Sequence, residues 1–185
     1  MIDIVKVRKG LYLKRITHDD AREVFDLIDR NRLFLRRWLP FVDETHTAEN
    51  TLAFVDSLQK PFCNQMVFSI VHDDVIAGLI GFKDIDALNR RLEIGYWIGE
   101  KFQGKGIVTE SCRALINKAF KNMNINRIAI RCAIGNTASS NIPKKLGFSL
   151  EGIERQGERH REIFLDLEVY SLLKSEWAVI EKRKD

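Results

Sequence analysis

Residues 99–111 read GEKFQGKGIVTES, and the three glycines of that run lie between a strand-like segment, LEIGYWI at 92–98, and a helix-like segment, IVTESCRALINKAF at 107–120. No other stretch constrains the fold as tightly. A chain that passes from strand to helix through glycine exposes the unpaired N–H groups of a helix start. The missing side chains then let an anion come close to the backbone. A tight surface turn without a ligand uses the same residues, so the rest of the chain has to decide between the two.

The flanking patterns define the layout. A first strand is expected over residues 11–16. Thr17 and Asp20 form a T-x-x-D helix start. Ala21, Val24, Phe25 and Ile28 then share one helical face. Pro40 ends any helix near Leu39. A further helix is expected over 47–59, with Leu52, Phe54 and Val55 as its apolar contacts. MVFSIVH (66–72), an Asp-Asp turn and VIAGLIGFKDI (75–85) form a hairpin whose second arm is apolar on both faces. Leu92, Ile94, Tyr96 and Ile98 alternate as in a half-buried strand. Val108, Cys112, Leu115, Ile116 and Ala119 mark a helix stripe, and RIAIRCAI (127–134) alternates again. A short helix follows, then strands near 148–155 and 162–172, with a frayed tail at EKRKD. This order is mixed α/β, an α+β arrangement with a mostly antiparallel sheet. The helix at 107–121 is a crossover that makes strands 92–98 and 127–134 parallel neighbours.

With 185 residues and no repeat or linker, residues 1–185 are expected to form a single domain. No apolar run approaches the roughly 20 residues of a membrane span. The first residues, MIDIVKVRKGLYLKR, lack the apolar core of a signal peptide. The formal net charge of +4 is spread among interleaved acids and bases, so neither nucleic acid nor a membrane is an expected partner. Cys63, Cys112 and Cys132 are odd in number, form no C-x-x-C, and read as small buried apolar residues of a cytoplasmic protein.

Three glycine-loop chemistries compete. Gly99 to Lys105 nearly fits the P-loop pattern G-x-x-x-x-G-K-[ST], but Gly106 stands where a metal-holding hydroxyl is required. A dinucleotide loop needs a third glycine where Thr109 stands. The third pattern is Gln103-x-x-Gly106-x-Val108. It resembles the Q/R-x-x-G-x-G/A signature of the GCN5-related N-acetyltransferases (GNAT), with Val108 replacing the small last residue. Asn136-Thr-Ala-Ser139 and Lys145-Leu-Gly147-Phe148 resemble a second segment of that family, and Glu151-Gly152 with Arg155 continue it. Arg36-Arg37-Trp38-Leu39-Pro40, Glu93 to Ile98, Asp166 and Tyr170 to Leu173 resemble the subgroup that acetylates the amino termini of ribosomal proteins. Taken singly, Asn136 and Ser139 could only cap a helix, Gly147 could only end one, and Trp38 and Trp97 could be core aromatics.

The resemblance implies a GNAT fold whose central parallel strands splay after a bulge near 95–98. It implies acetyl-coenzyme A as co-substrate, with no metal. The amides of Gln103, Gly104, Lys105, Gly106, Ile107 and Val108 would hold the pyrophosphate, and Thr109 would add a hydroxyl. Asn136 would reach the pantetheine, and a backbone N–H at Trp97 or Ile98 would polarise the thioester carbonyl. Ser139 would protonate the leaving thiolate, and Glu158 would act as base through water, although a plain surface role fits Glu158 equally well. His160, in a charged run, reads as solvated. The acceptor would be a protein N-terminus, or alternatively a small-molecule amine such as a polyamine or aminoglycoside. A non-catalytic acyl-coenzyme A binding module is the third reading, and a homodimer is compatible with the subgroup.

Overall fold

The computed structural model describes residues 3–182. It contains an eight-stranded sheet in the order β1-β2-β3-β4-β5-β6-β8-β7. The strands are β1 (Ile4–Arg8), β2 (Leu11–Arg15), β3 (Met66–His72), β4 (Val75–Asp86), β5 (Arg91–Ile98), β6 (Arg127–Ala133), β7 (Ser149–His160) and β8 (Ile163–Leu173). The helices are α1 (Ala21–Arg30), α2 (Arg32–Leu35), α3 (Ala48–Ser57), α4 (Ile107–Asn122), α5 (Thr137–Leu146) and α6 (Lys174–Lys182). All strand pairs are antiparallel except β5 with β6. That parallel pair is joined by the expected crossover through α4.

Local chemistry explains the elements. In β4, Ile76 to Phe82 are all buried, as the doubly apolar pattern requires of a central strand. The β3–β4 turn uses Asp73 and Asp74 at φ 49° and 63°, the paired left-handed conformation that matches hairpin twist. Helix α4 buries Ile107, Val108, Ser111, Cys112, Leu115, Ile116, Ala119 and Phe120, a stripe at helical spacing. It packs across β1, β2, β4 and β5. Truncating the fully buried Leu115 to alanine would cost about 3 kcal/mol.

Several expectations are corrected. Strand β1 precedes the first strand that was expected. Its charged alternate residues, Lys6 and Arg8, masked the half-buried Val5 and Val7. Leu52 and Phe54 of α3 are 38% and 37% exposed, and only Val55 enters the core. The last strand, β8, lies where it was expected, but helix α6, which the periodicity did not reveal, follows it. Trp177 of α6 is buried, and its indole N–H donates to Asn117 at 3.0 Å. Glu181 and Lys182 of the expected frayed tail belong to α6, and residues 183–185 lie outside the described residues. Strand β7 runs on to His160 through register shifts at Leu150/Gly152 and Glu154/Glu158.

Candidate functional site

The site begins where β5 and β6 part. Their pairing covers only Arg91↔Arg127, Leu92↔Ile128 and Glu93↔Ala129. Beyond it β5 runs to Ile98 and β6 to Ala133 with no further pairing between them. The expected bulge near 95–98 is absent: β5 stays in unbroken register with β4 from Glu93↔Lys83 to Ile98↔Gly78. The irregularities instead fall in β4, between Lys83 and Asp86 and opposite Ile70/Val71. The Gly99 N–H donates to the Ala77 carbonyl at 2.8 Å. Alternation along a strand therefore turns the Ile98 N–H away from β4 and into the gap. Of the two residues expected to supply this donor, Ile98 has the right orientation.

The glycine loop lies at the end of β5. Gly104 and Gly106 take φ of 71° and 75°, a left-handed conformation that glycine adopts without strain. Gly106 is the N-cap of α4 and offers no side chain to satisfy the helix start. Glu110 donates the first helical N–H, to the Gly106 carbonyl at 3.0 Å. The N–H groups of residues 104–109 find no acceptor among the described residues. The Gln103 N–H differs from expectation, because it is already bonded to the Glu100 carbonyl at 3.1 Å. The loop thus aims a row of free donors and the positive end of a 16-residue helix outward, which suits a diphosphate. Lys105 sits over the Phe102 ring, 5.8 Å from its centroid. The nearby Glu110 carboxylate is paired with Arg8 at 2.6 Å. Among the described residues no group of three or more acidic, cysteine or histidine side chains could hold a metal ion.

Two clefts open from the splay. A smaller one, about 290 Å³, runs past Trp97, Ile98, Gln103, Val108, Asn136 and Ser139. A larger cavity, about 520 Å³, shares Trp97 with it and is lined by Trp38, Phe41, Phe54, Tyr96, Ser139 and Glu158 among others. The Phe41 and Trp97 rings meet at 6.4 Å and 51°. Ser139 lines both spaces. Asn136 caps α5, its side-chain oxygen accepting the Ser139 N–H at 3.2 Å, and Gly147 ends that helix in the left-handed conformation. The capping readings therefore hold geometrically, and they also fix Ser139 at the junction of the two clefts. Glu158 lines the cavity without an ion pair among the described residues.

Sequence reasoning missed several residues. The Tyr96 hydroxyl donates to the Ser139 carbonyl at 3.0 Å and accepts from the Ser139 hydroxyl at 3.3 Å. Desolvation, with the nearby Cys112 and Cys132 thiols, raises the Tyr96 pKa well above that of a free phenol, so it is an O–H donor rather than an anion. Alternation had assigned Tyr96 to the core. The Cys132 thiol lies 3.3 Å from the Ser139 hydroxyl, and burial raises its pKa, which keeps it a thiol. Glu93 is only 4% exposed, yet it bonds Arg131 at 2.5 Å and Lys83 at 2.8 Å at the cavity wall. His160 corrects an expectation outright: it is 7% exposed, not solvated. It ends β7 beside Arg161, whose ion pair with Asp43 at 2.8 Å ties the β7–β8 turn to the segment after α2.

Comparison with known proteins agrees with this geometry. Residues 10–149 match the acetyltransferase (GNAT) domain family. YdaF of Bacillus subtilis (strain 168), assigned provisionally as a ribosomal N-acetyltransferase, is 35% identical over 175 residues, covering 93% of this chain and 96% of its own length. The ribosomal-protein-serine acetyltransferase of Escherichia coli (strain K12) is 29% identical over 174 residues, covering 92% and 97%. The solved structure of RimL, a ribosomal L7/L12 α-N-protein acetyltransferase, holds coenzyme A joined by a disulfide to a cysteine of that protein. It superposes with a TM-score of 0.88 at 26% identity, over 94% of this chain and 99% of that one. The microcin C7 self-immunity acetyltransferase MccE, solved with acetyl-CoA and AMP, gives a TM-score of 0.86 at 28% identity over 91% and 94%.

Proposed function

Because the chain belongs to the GNAT acetyltransferase family and is an acetyl-CoA-dependent N-acetyltransferase, we propose that its acceptor is the N-terminal α-amine of a protein, with ribosomal proteins the leading candidates. Residues 1–185 act as a single domain in this reading.

One observation carries the choice of acceptor. The charged side chains lining the large cavity are Lys83, Glu93, Arg131 and Glu158, two bases and two acids. Glu93 is already neutralised by its two cationic partners. A polycationic polyamine or aminoglycoside wants a surplus of carboxylates, and this cavity has none. Aromatic walls and one unpaired carboxylate suit a peptide terminus instead. The relatives named as ribosomal-protein acetyltransferases point the same way.

Acetyl-CoA supplies the activated acetyl group when bound, and the chain's own residues do the rest. The amides of residues 104–109 hold the diphosphate, with Lys105 adding charge and Thr109 a hydroxyl. Asn136 meets the pantetheine arm. The Ile98 N–H, in the gap beside Trp97, stabilises the charge that develops on the carbonyl oxygen, a donor whose loss costs about 100-fold in rate. Glu158 takes a proton from the attacking amine through water. A free α-amine has a pKa near 8, so at neutral pH this asks little of a base. Ser139, hydrogen-bonded to the Tyr96 phenol, returns a proton to the departing thiolate. Transfer is direct in this reading, and burial keeps the Cys132 thiol beside Ser139 protonated.

Thiol release from acetyl-CoA tests the reading against peptides beginning with Ser, Ala or Met and against spermidine and an aminoglycoside. Turnover with peptides alone supports it. Turnover confined to the small amines overturns it, and tight coenzyme binding without release for any amine would restore the binding-module reading.

A further inference from the structure

Beyond the cavity, on another side of Trp38, lies an open cleft of about 480 Å³ lined by Leu33, Arg36, Arg37, Trp38, His160 and Arg161. Trp38 also lines the large cavity and the smaller cleft, so all three spaces share this residue. Three arginines line the open cleft. Asp43 pairs with Arg36 at 3.0 Å and with Arg161 at 2.8 Å, which offsets one positive charge and leaves a surplus. Arg37 is exposed and forms no ion pair among the described residues. Two buried polar atoms at this place have no hydrogen-bond partner: Nδ1 of His160 and Nε of Arg36. Buried polar atoms are nearly always satisfied, and two unsatisfied ones beside surplus cationic charge mark a place short of a hydrogen-bond partner. An oxyanion supplies several acceptor lone pairs at once and suits the guanidinium fork.

The strand that builds the cleft also decides whose oxyanion it takes. His160 and Glu158 are two residues apart on β7 and share one face of that strand. Glu158 lines the acceptor cavity, so the cleft continues the acceptor side. The loop amides at residues 104–109 already provide for the coenzyme's diphosphate. From this juxtaposition we infer that Arg36, Arg37, His160 and Arg161 form an oxyanion subsite that receives a side-chain carboxylate of the acceptor peptide, a few residues after its N-terminus. The inference rests on the peptide reading above and narrows it: preferred acceptors are acidic near their amino termini. Charge selection then comes from this cleft, since the cavity itself is balanced.

The test uses Ser-initiated peptides of equal length that carry Glu, Gln or Lys at one position from the second to the sixth, at saturating acetyl-CoA. At the best position kcat/KM for the Glu peptide should exceed that of the Gln peptide by roughly tenfold, with Lys lower still. The preference should weaken as salt rises. Arg37→Gln and Arg161→Gln should each bring the Glu-to-Gln ratio to within about twofold of one, whereas Lys121→Gln, outside the cleft, should keep it. Arg37 has no ion-pair partner among the described residues to lose, so its variant remains informative if removing Arg161 unsettles the turn. Equal turnover of the three peptides, or a preference that survives both arginine variants, overturns the subsite and leaves the peptide reading standing. If the variants instead raise the KM for acetyl-CoA but not for its 3′-dephospho analogue, the oxyanion is the coenzyme's phosphate and the proposal falls. Acetylation of spermidine but of no peptide takes down both readings together.

Discussion

Ser139 and Tyr96 are bonded twice: the phenol donates to the serine carbonyl at 3.0 Å, and the serine hydroxyl donates to the phenol oxygen at 3.3 Å. One residue lies in the first turn of α5 and the other stands in the splayed half of β5, so the pair locks the helix to the strand at the junction of the two clefts. Tyr96→Phe removes a hydroxyl from the proposed proton path and leaves the ring. It should lower kcat about 10- to 100-fold with little change in acetyl-CoA affinity. Ser139→Ala should act in the same direction, and the double variant should fall short of the product of the two. Because the Tyr96 pKa is raised, the phenol gives no rate loss from ionisation below about pH 10. The sign on stability follows. The native state holds that proton more tightly than the unfolded chain, so stability falls as pH rises past the unfolded pKa near 10. Single-turnover rates and alkaline melting curves would check both statements.

Glu158 is the carboxylate of the cavity wall without a cationic partner among the described residues. Glu158→Gln keeps its size and removes its basicity. Turnover of a Ser-initiated peptide should drop about tenfold or more at pH 6.5 and recover partly at pH 9, where the amine is largely neutral without help. Full turnover at both pH values would relegate Glu158 to the surface role that its charged neighbours also suggest.

Much of this was legible in the chain because local and tertiary preferences agree there. The stripe of α4, the doubly apolar β4 and the glycine loop needed no tertiary information. What was hidden depends on neighbours distant in sequence. β1 looks amphipathic and weak until β2 pairs with it and α4 covers it. Tyr96 sits in a core-like alternation, and only the placement of α5 brings Ser139 to its hydroxyl. Glu93 and His160 lie among charged residues, and their surroundings come from distant positions: Arg131, 38 residues on, bonds Glu93, and Asp43, 118 residues before Arg161, anchors the turn beside His160. Periodicity carries no signal of that kind.

Glu151 predicts an acid-sensitive edge. Both its oxygens take guanidinium N–H groups of Arg127, at 2.7 and 2.5 Å, and the Ser171 hydroxyl adds a third bond at 2.8 Å. The Arg127 hydrogen bonds first, and then Ser171, hold its pKa down at about 2. A depressed carboxylate stabilises the fold above its unfolded pKa, near 4.3. That stabilisation drains away as pH falls toward 2. Since the side chain is 42% exposed, screening limits the effect. Glu151→Gln should cost about 1 kcal/mol at pH 7 and almost nothing at pH 2.5. Urea titrations at the two pH values would measure the difference, and an equal cost at both would deny the carboxylate its role.

Gly78 sets how closely β4 approaches the reacting end of β5. A Cβ there would lie 2.1 Å from the Trp97 carbonyl oxygen and 2.8 Å from the Ile98 Cα, both main-chain atoms that cannot rotate away. Gly78→Ala must therefore push β5 off β4 where the Ile98 N–H is presented to the gap. The strain should destabilise the protein by about 3 kcal/mol. It should also lower kcat more than it raises the KM for acetyl-CoA, because the glycine loop proposed to hold the diphosphate lies beyond Gly99 and leads into α4. Gly104→Ala makes the counterpart, since a Cβ there meets nothing within 4 Å and only its left-handed backbone resists. It should disturb coenzyme binding while leaving the Ile98 N–H in place. Melting temperature, kcat and coenzyme KM for the two variants separate these effects. A Gly78→Ala enzyme that melted and turned over like the parent would mean that β5 presents its free N–H without help from β4.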